Sequence, residues 1–163
     1  MRTPATIAKH PIHPMLVGVP IGLWIMSLVC DLIAAGGSGN PDWAVVALYT
    51  MVGGIVGALA AAVPGFVDML ALRGGLKRIA LTHMVINLTV VALYVANAWM
   101  RMAGGAVDPA PAATPTTLGL SVLAIGMLAI SGWLGGKMVH VHGVAVEAPP
   151  EPASAVESHR LGT

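Results

Sequence analysis

The chain contains four apolar stretches, each long enough to cross a hydrocarbon core of about 30 Å, which takes roughly 20 helical residues at about 1.5 Å apiece. No other feature narrows the fold as far. The stretches run from about Met15 to Ala35, Trp43 to Val67, Ile79 to Met100 and Thr117 to Gly136. Turn formers separate them: Gly36 to Asp42, the basic loop Arg73 to Arg78, and a longer Pro/Ala linker from Gly104 to Pro115. Barrel strands would alternate over about ten residues, and soluble amphipathic helices would carry a charged face; neither pattern is present. The expected fold is all-α, an integral membrane four-transmembrane-helix up-down bundle. Residues 1–14 form an N-terminal segment and 15–143 the membrane domain. Residues 144–163 are too poor in apolar surface to offset their ordering entropy and are expected to be a disordered tail.

Of 163 residues, 56% are apolar and only 9% charged, against about 25% charged in soluble proteins. Eight basic and seven acidic residues leave a net charge of +1, which gives a nucleic acid nothing to bind. The single cysteine, Cys30, has no intrachain disulfide partner. There is no Cys-x-x-Cys-His and no Gly-x-x-x-x-Gly-Lys, so neither a c-type cytochrome nor a nucleotide-driven pump is indicated. Glycines spaced four apart, at Gly18/Gly22, Gly53/Gly57 and Gly132/Gly136, suit close helix approach or the seating of a flat cofactor.

Lys and Arg accumulate on the cytoplasmic side of short loops. With both termini inside, Arg2, Lys9, Arg73, Lys77, Arg78, Lys137 and Arg160 fall on that side and Arg101 alone lies outside. The expected location is therefore the inner (plasma) membrane, multi-pass, with both termini cytoplasmic. A cleaved signal peptide is disfavoured, because the first apolar run exceeds the roughly 7 to 15 residues of a signal core.

Ionisable groups beside spanning helices are costly, so their positions carry the functional signal. His10 and His13 precede the first span, Asp68 ends the second, His83 enters the third, and His140 and His142 follow the fourth. In an up-down bundle these all reach one membrane face. In His10-Pro11-Ile12-His13-Pro14 each proline pushes the histidine before it toward extended geometry and stiffens it. Two such imidazoles can ligate a metal or a haem iron, or sit among lipid headgroups. His83 has Asn87 at i+4 on its own face, which suits ligation or an interhelical hydrogen bond. Asp68 opposes the helix dipole and wants a cation or imidazole near it, either a ligating histidine that it orients or Arg73 or Arg78. His140 and His142 point the same way only on extended chain, so one of them at most serves a shared site. Met15, Met69, Met84 and Met138 would suit copper(I), although methionine also fills core gaps. At the opposite end Asp31 and Arg101 stand at matching depth and are expected to form a structural pair, with proton relay the alternative. Trp24 is mid-span and needs a packing partner.

Taken together these residues make the chain similar to an uncharacterised bacterial membrane family, domain of unknown function 2231. The resemblance rests on His10-Pro11-Ile12-His13-Pro14, Val17-Gly18-Val19-Pro20-Ile21-Gly22-Leu23, Asp31, Pro64-Gly65-x-x-Asp68, His83 with Asn87, and Gly135-Gly136-x-x-Val139-x-x-His142-Gly143-Val144, and covers residues 10–144. The family usually has an aromatic where this chain has His140, which makes His142 the better candidate of that pair. The resemblance implies a four-helix membrane protein, joined in other chains to c-type cytochrome or Rieske iron–sulfur modules, and so hints at electron transfer. No reaction is established for the family.

The expected function is a small redox module holding haem b or a transition metal ion through histidines at the cytoplasmic face, an electron-transfer or binding subunit rather than a stand-alone enzyme. His13 and His83 are the preferred ligands, with His142 as substitute, His10 and His140 as alternates, and Asp68 and Asn87 as acceptors behind them. A bare metal would take His10, His13, His83 and Asp68. The alternatives are a cation or proton transport protein with Asp31 and Asp68 as relays, and a non-catalytic membrane partner subunit. The partners to consider are the lipid bilayer, a c-type cytochrome or Rieske-type protein, and further copies of the chain.

Overall fold

The computed structural model describes residues 3–103 and 113–146; Arg2, most of the Gly104–Pro115 linker and the tail from 147, with Arg160, lie outside the described residues. A short antiparallel hairpin, β1 (Thr6–Ile7) and β2 (His10–Pro11), leads into α1 (Ile12–Leu16) and α2 (Gly18–Ala35). There follow α3 (Asp42–Leu70), α4 (Gly74–Met102) and α5 (Pro115–His140). Among the described residues four spans are long and apolar enough to cross a membrane, the first being Ile12–Ala35. The chain is an all-α bundle of the up-down kind, in which each helix packs beside its sequence neighbour and α2 and α4 face one another through the centre.

Local chemistry sets the boundaries. Pro20 has no N–H to offer the Leu16 carbonyl, and the helix breaks into α1 and α2 at that turn. Thr114 caps α5 reciprocally with Thr117, and Pro115 occupies the first helical position, where a missing N–H costs nothing. The turn from α3 into α4 needs Gly74 at φ +59°. The helices outrun the apolar stretches: α3 passes through Pro64 to Leu70, α4 starts at Gly74 rather than Ile79, and α5 reaches His140. Apolar runs mark only the part suited to hydrocarbon, whereas Lys77, Arg78 and Lys137 belong to the helical ends beyond those runs, where long basic side chains can keep their charges in water.

The hydrogen bonds between helices reveal a repeat. In the first hairpin Ser27 Oγ donates to the Ala47 carbonyl at 2.8 Å and His13 Nδ1 bonds the Ala61 carbonyl at 2.8 Å. In the second, Asn97 Nδ2 donates to the Thr117 carbonyl at 2.8 Å and His83 Nδ1 bonds the Ser131 carbonyl at 2.9 Å. These two bonds of one hairpin map onto those of the other by the offset of 70 residues that also separates Asp31 from its partner Arg101. Burial repeats with the same offset: Pro20 and Val90, Met51 and Ser121, Gly54 and Ala124, and Ala61 and Ser131 are all buried. Three contacts join a residue to its own equivalent, namely His13 to His83, Trp24 to Tyr94 and Asp31 to Arg101. Self-contact of equivalent positions is what a two-fold axis produces. Since both hairpins run in the same direction, the axis lies along the membrane normal, as in other membrane proteins built from parallel repeats.

The bundle centre is filled along that axis. Trp24 and Tyr94 stack with centroids 4.5 Å apart and planes 11° from parallel, and they pack with Leu48, Met51, Val90, Ala98 and Ala124. This is the packing partner that mid-span Trp24 requires. The indole N–H donates to the Met51 carbonyl at 3.2 Å, and Gly54 is bare because any Cβ there would collide with the indole. Outward-facing side chains such as Val56, Val63 and Ile130 are large, apolar and more than half exposed, as lipid contact demands.

Candidate functional site: an imidazole pair on the pseudo-two-fold axis

At the end where α1 begins and α5 stops, the rings of His13 and His83 meet with centroids 6.3 Å apart and planes at 88°. Each ring is held the same way. A carbonyl can only accept, so Nδ1 of His13 donates to Ala61 O and Nδ1 of His83 to Ser131 O. For a neutral ring this selects the Nδ1–H tautomer, in which Nε2 carries the lone pair. Glycine makes the approach possible: a Cβ on Gly65 would lie 2.7 Å from His13 Nδ1, and one on Gly135 3.3 Å from His83 Cε1. Gly65 and Gly135 are again 70 residues apart. The neighbouring Pro64 bars an N–H from the Ala60 carbonyl and crowds it, and it is in this loosened turn that α3 receives the His13 ring.

The surroundings of the two rings differ. Asn87 Nδ2 lies 3.1 Å from His83 Nε2, 2.9 Å from the His83 carbonyl and 2.7 Å from Ser131 Oγ. Its two N–H groups therefore have three acceptors, so the bond to Nε2 can be released with both N–H groups still satisfied. The residues equivalent to Asn87 and Ser131 around His13 are Val17 and Ala61, which offer Nε2 of that ring nothing.

The remaining predicted site residues are placed elsewhere. His10 lies in β2, exposed, with Nδ1 bonded to the Ala8 carbonyl at 2.9 Å. His140 and His142 are exposed at the end of α5. Asp68 is buried and accepts the Ala5 backbone N–H at 2.8 Å, so its carboxylate pins the N-terminal hairpin rather than orienting an imidazole or meeting Arg73 or Arg78. The set His10, His13, His83 and Asp68 is not assembled, and no group of three or more His, Cys, Asp or Glu able to hold an ion occurs among the described residues. The physical reason is the β-turn at Ala8-Lys9, both left-handed, which carries His10 away from the helix entrance. The expected cluster thus reduces to a pair. Met69, Met84 and Met138 pack in an apolar cluster with Leu72, Leu76, Ala80 and Val144, while Met15 is exposed.

At the opposite end of the axis Arg101 donates two hydrogen bonds to Asp31, 2.7 and 2.6 Å, with both side chains fully withdrawn from solvent. Arg101 Nε donates to Asn97 Oδ1 at 3.0 Å, and Asn97 Nδ2 also donates to Ser121 Oγ at 2.9 Å. Every charge is met by a partner, which is the condition for tolerating it inside a membrane. Sequence reasoning missed Asn97, Ser121 and Ser131 as polar partners, as well as Tyr94; a search for polar residues at i−4 from Arg101 would have found Asn97.

Fold and site together define a multi-pass integral membrane protein of two repeated helical hairpins with an imidazole pair between them. Residues 9–148 match the family described as predicted membrane protein (DUF2231), and the chain belongs to that family. Comparison with curated proteins and with solved structures gives no match.

Proposed function

We propose that the protein is a small membrane redox module that holds haem b or one transition-metal ion between His13 and His83. The observation that supports this reading most is the pair of Nδ1–H bonds to backbone carbonyls at equivalent positions. Ligating histidines are oriented in just this manner, with the other ring nitrogen given to a carbonyl or carboxylate. The two rings lie close, with centroids 6.3 Å apart, so that both imidazoles could hold one group. Two donors without a third suit a haem iron best, because the macrocycle supplies the other four ligands. Bound there, such a group supplies one-electron transfer. His13 and His83 would hold it, Ala61 and Ser131 would orient the rings, and Gly65 and Gly135 keep the seats open. Asp31 and Asp68 are committed to Arg101 and Ala5, so a carboxylate relay gains no support. The redox partner would be of the c-type cytochrome or Rieske class.

The test is the absorption spectrum and elemental content of protein purified from its native membrane. The expected result is a b-type haem spectrum or one equivalent of metal. It should be lost in His13→Ala and His83→Ala and kept in His10→Ala, His140→Ala and His142→Ala. Gly65→Ala should lower occupancy more than Gly135→Ala, since its methyl meets the imidazole at shorter range. Wild-type protein free of both haem and stoichiometric metal would overturn the reading. The proposed orientation, termini and site cytoplasmic in the plasma membrane, predicts that reporter fusions after Lys77 register inside and those after Ala112 outside; the reverse pattern would invert it.

A further inference from the structure

On the lipid-facing side of α5, toward the end of the bundle that holds the imidazole pair, a groove of about 350 Å³ is lined by Gly132, Trp133, Gly136, Lys137, His140 and Val141. At Gly132 and Gly136 an added Cβ would meet nothing within 4 Å, so these glycines serve no contact inside the bundle. Trp133 stands beside them, 75% exposed. Lys137 and His140 follow at helical spacing from Trp133 and Gly136, on the same face.

The first hairpin provides an internal control. The same face 70 residues earlier consists of Ala62, Val63, Phe66, Val67 and Leu70, wholly apolar, as contact with acyl chains asks. Because the axis runs along the membrane normal, the two faces lie at equal depth in the bilayer. Where one has Val63, Phe66, Val67 and Leu70, the other has Trp133, Gly136, Lys137 and His140. Lys137 makes no ion pair among the described residues. The hollow itself is lined almost wholly by apolar surface, and Lys137, His140 and Trp133 are among the residues that border it on the side open to lipid.

We propose that this groove binds an anionic phospholipid, with its phosphate held by Lys137 and His140 beside Trp133 and an acyl chain lying along Gly132 and Gly136. Charge decides between this occupant and a second copy of the chain. A copy docked two-fold on α5 would set one Lys137 against the other at low dielectric, which is unfavourable, whereas a phosphate neutralises it. The site is separate from the imidazole pair and stands whether or not that pair binds a metal.

Native mass spectrometry of the full chain, taken from bilayers of equal phosphatidylglycerol and phosphatidylcholine, tests it. The expected result is one retained phosphatidylglycerol in preference to phosphatidylcholine. Lys137→Gln should weaken that binding about fivefold with phosphatidylcholine unaffected, and Gly136→Leu should abolish it by filling the groove. Lys137 is exposed, so the first variant tests binding with the fold intact. Phe66→Gly with Val67→Lys should create a second such site on the first hairpin. Equal retention of the two lipids, or unchanged phosphatidylglycerol binding in Lys137→Gln, would overturn the proposal. A dimer that Gly136→Leu disrupts would overturn it in favour of a second copy.

Discussion

Asp31→Ala and Arg101→Ala are each expected to destabilise the bundle by about 3–5 kcal/mol, because either leaves a full charge buried without its partner. The geometry justifies the upper part of that range: the pair is bidentate, fully withdrawn from solvent, and tied through Asn97 to Ser121 and the Thr117 carbonyl. Removing both charges should cost much less than the sum. The pseudo-two-fold axis adds a sharper test, since exchanging the two residues places each on the position equivalent to its own. Asp31→Arg with Arg101→Asp should recover part of the loss. Adding Ser27→Asn should recover more, because Ser27 is the equivalent of Asn97 and would then give the relocated guanidinium its third acceptor. Equilibrium unfolding in mixed micelles measures all of these, and an exchanged pair no more stable than the single variants would refute the axis.

Trp24→Ala is expected to cost a similar amount, about 3–5 kcal/mol, through the cavity left at the centre of the bundle. Its indole stacks on Tyr94 and fills the space that Gly54 leaves on α3. Gly54→Ala alone should cost about 1–3 kcal/mol by overpacking. In the Trp24→Ala background the same methyl should be neutral or stabilising, because it enters vacated space; such non-additivity is the mark of residues in contact. The equivalent pair in the second hairpin is Tyr94 with Ala124, a smaller ring opposite a larger residue, so Ala124→Gly should be destabilising there. Additive behaviour of Trp24 and Gly54 would show that the two do not share this space.

The four spans, the up-down order and the identity of the two imidazoles were legible in the chain itself, for physical reasons. Twenty apolar residues in a row leave the backbone no partner but itself in lipid, so helix is forced locally. His13 and His83 stand out because a histidine at the entrance of such a helix is expensive, and because both helices start at the same face. The alternation of short loops then brings Asp31 and Arg101 to one depth. All of these follow from counting residues along single helices.

What the chain could not disclose is which polar groups of equal depth stay apart from the imidazole pair. His10, His140, His142 and Asp68 share the face of the imidazole pair yet do not join it, since a left-handed turn at Ala8-Lys9 and the Ala5 N–H on Asp68 decide where they go. The duplication was equally hidden. Equivalent positions keep His13 with His83 and Gly65 with Gly135, but elsewhere pair Trp24 with Tyr94, Asp31 with Arg101 and Ser27 with Asn97. On a two-fold axis a residue faces its own equivalent, so a buried acid must be met by a base and cannot be repeated. The sequence by itself determined the solvent, the number of spans and the depth of each polar group. Only the tertiary structure decided the azimuth of each helix, and with it which groups of equal depth are neighbours, because that angle is set by packing across the bundle and leaves no period in a chain whose every face is apolar.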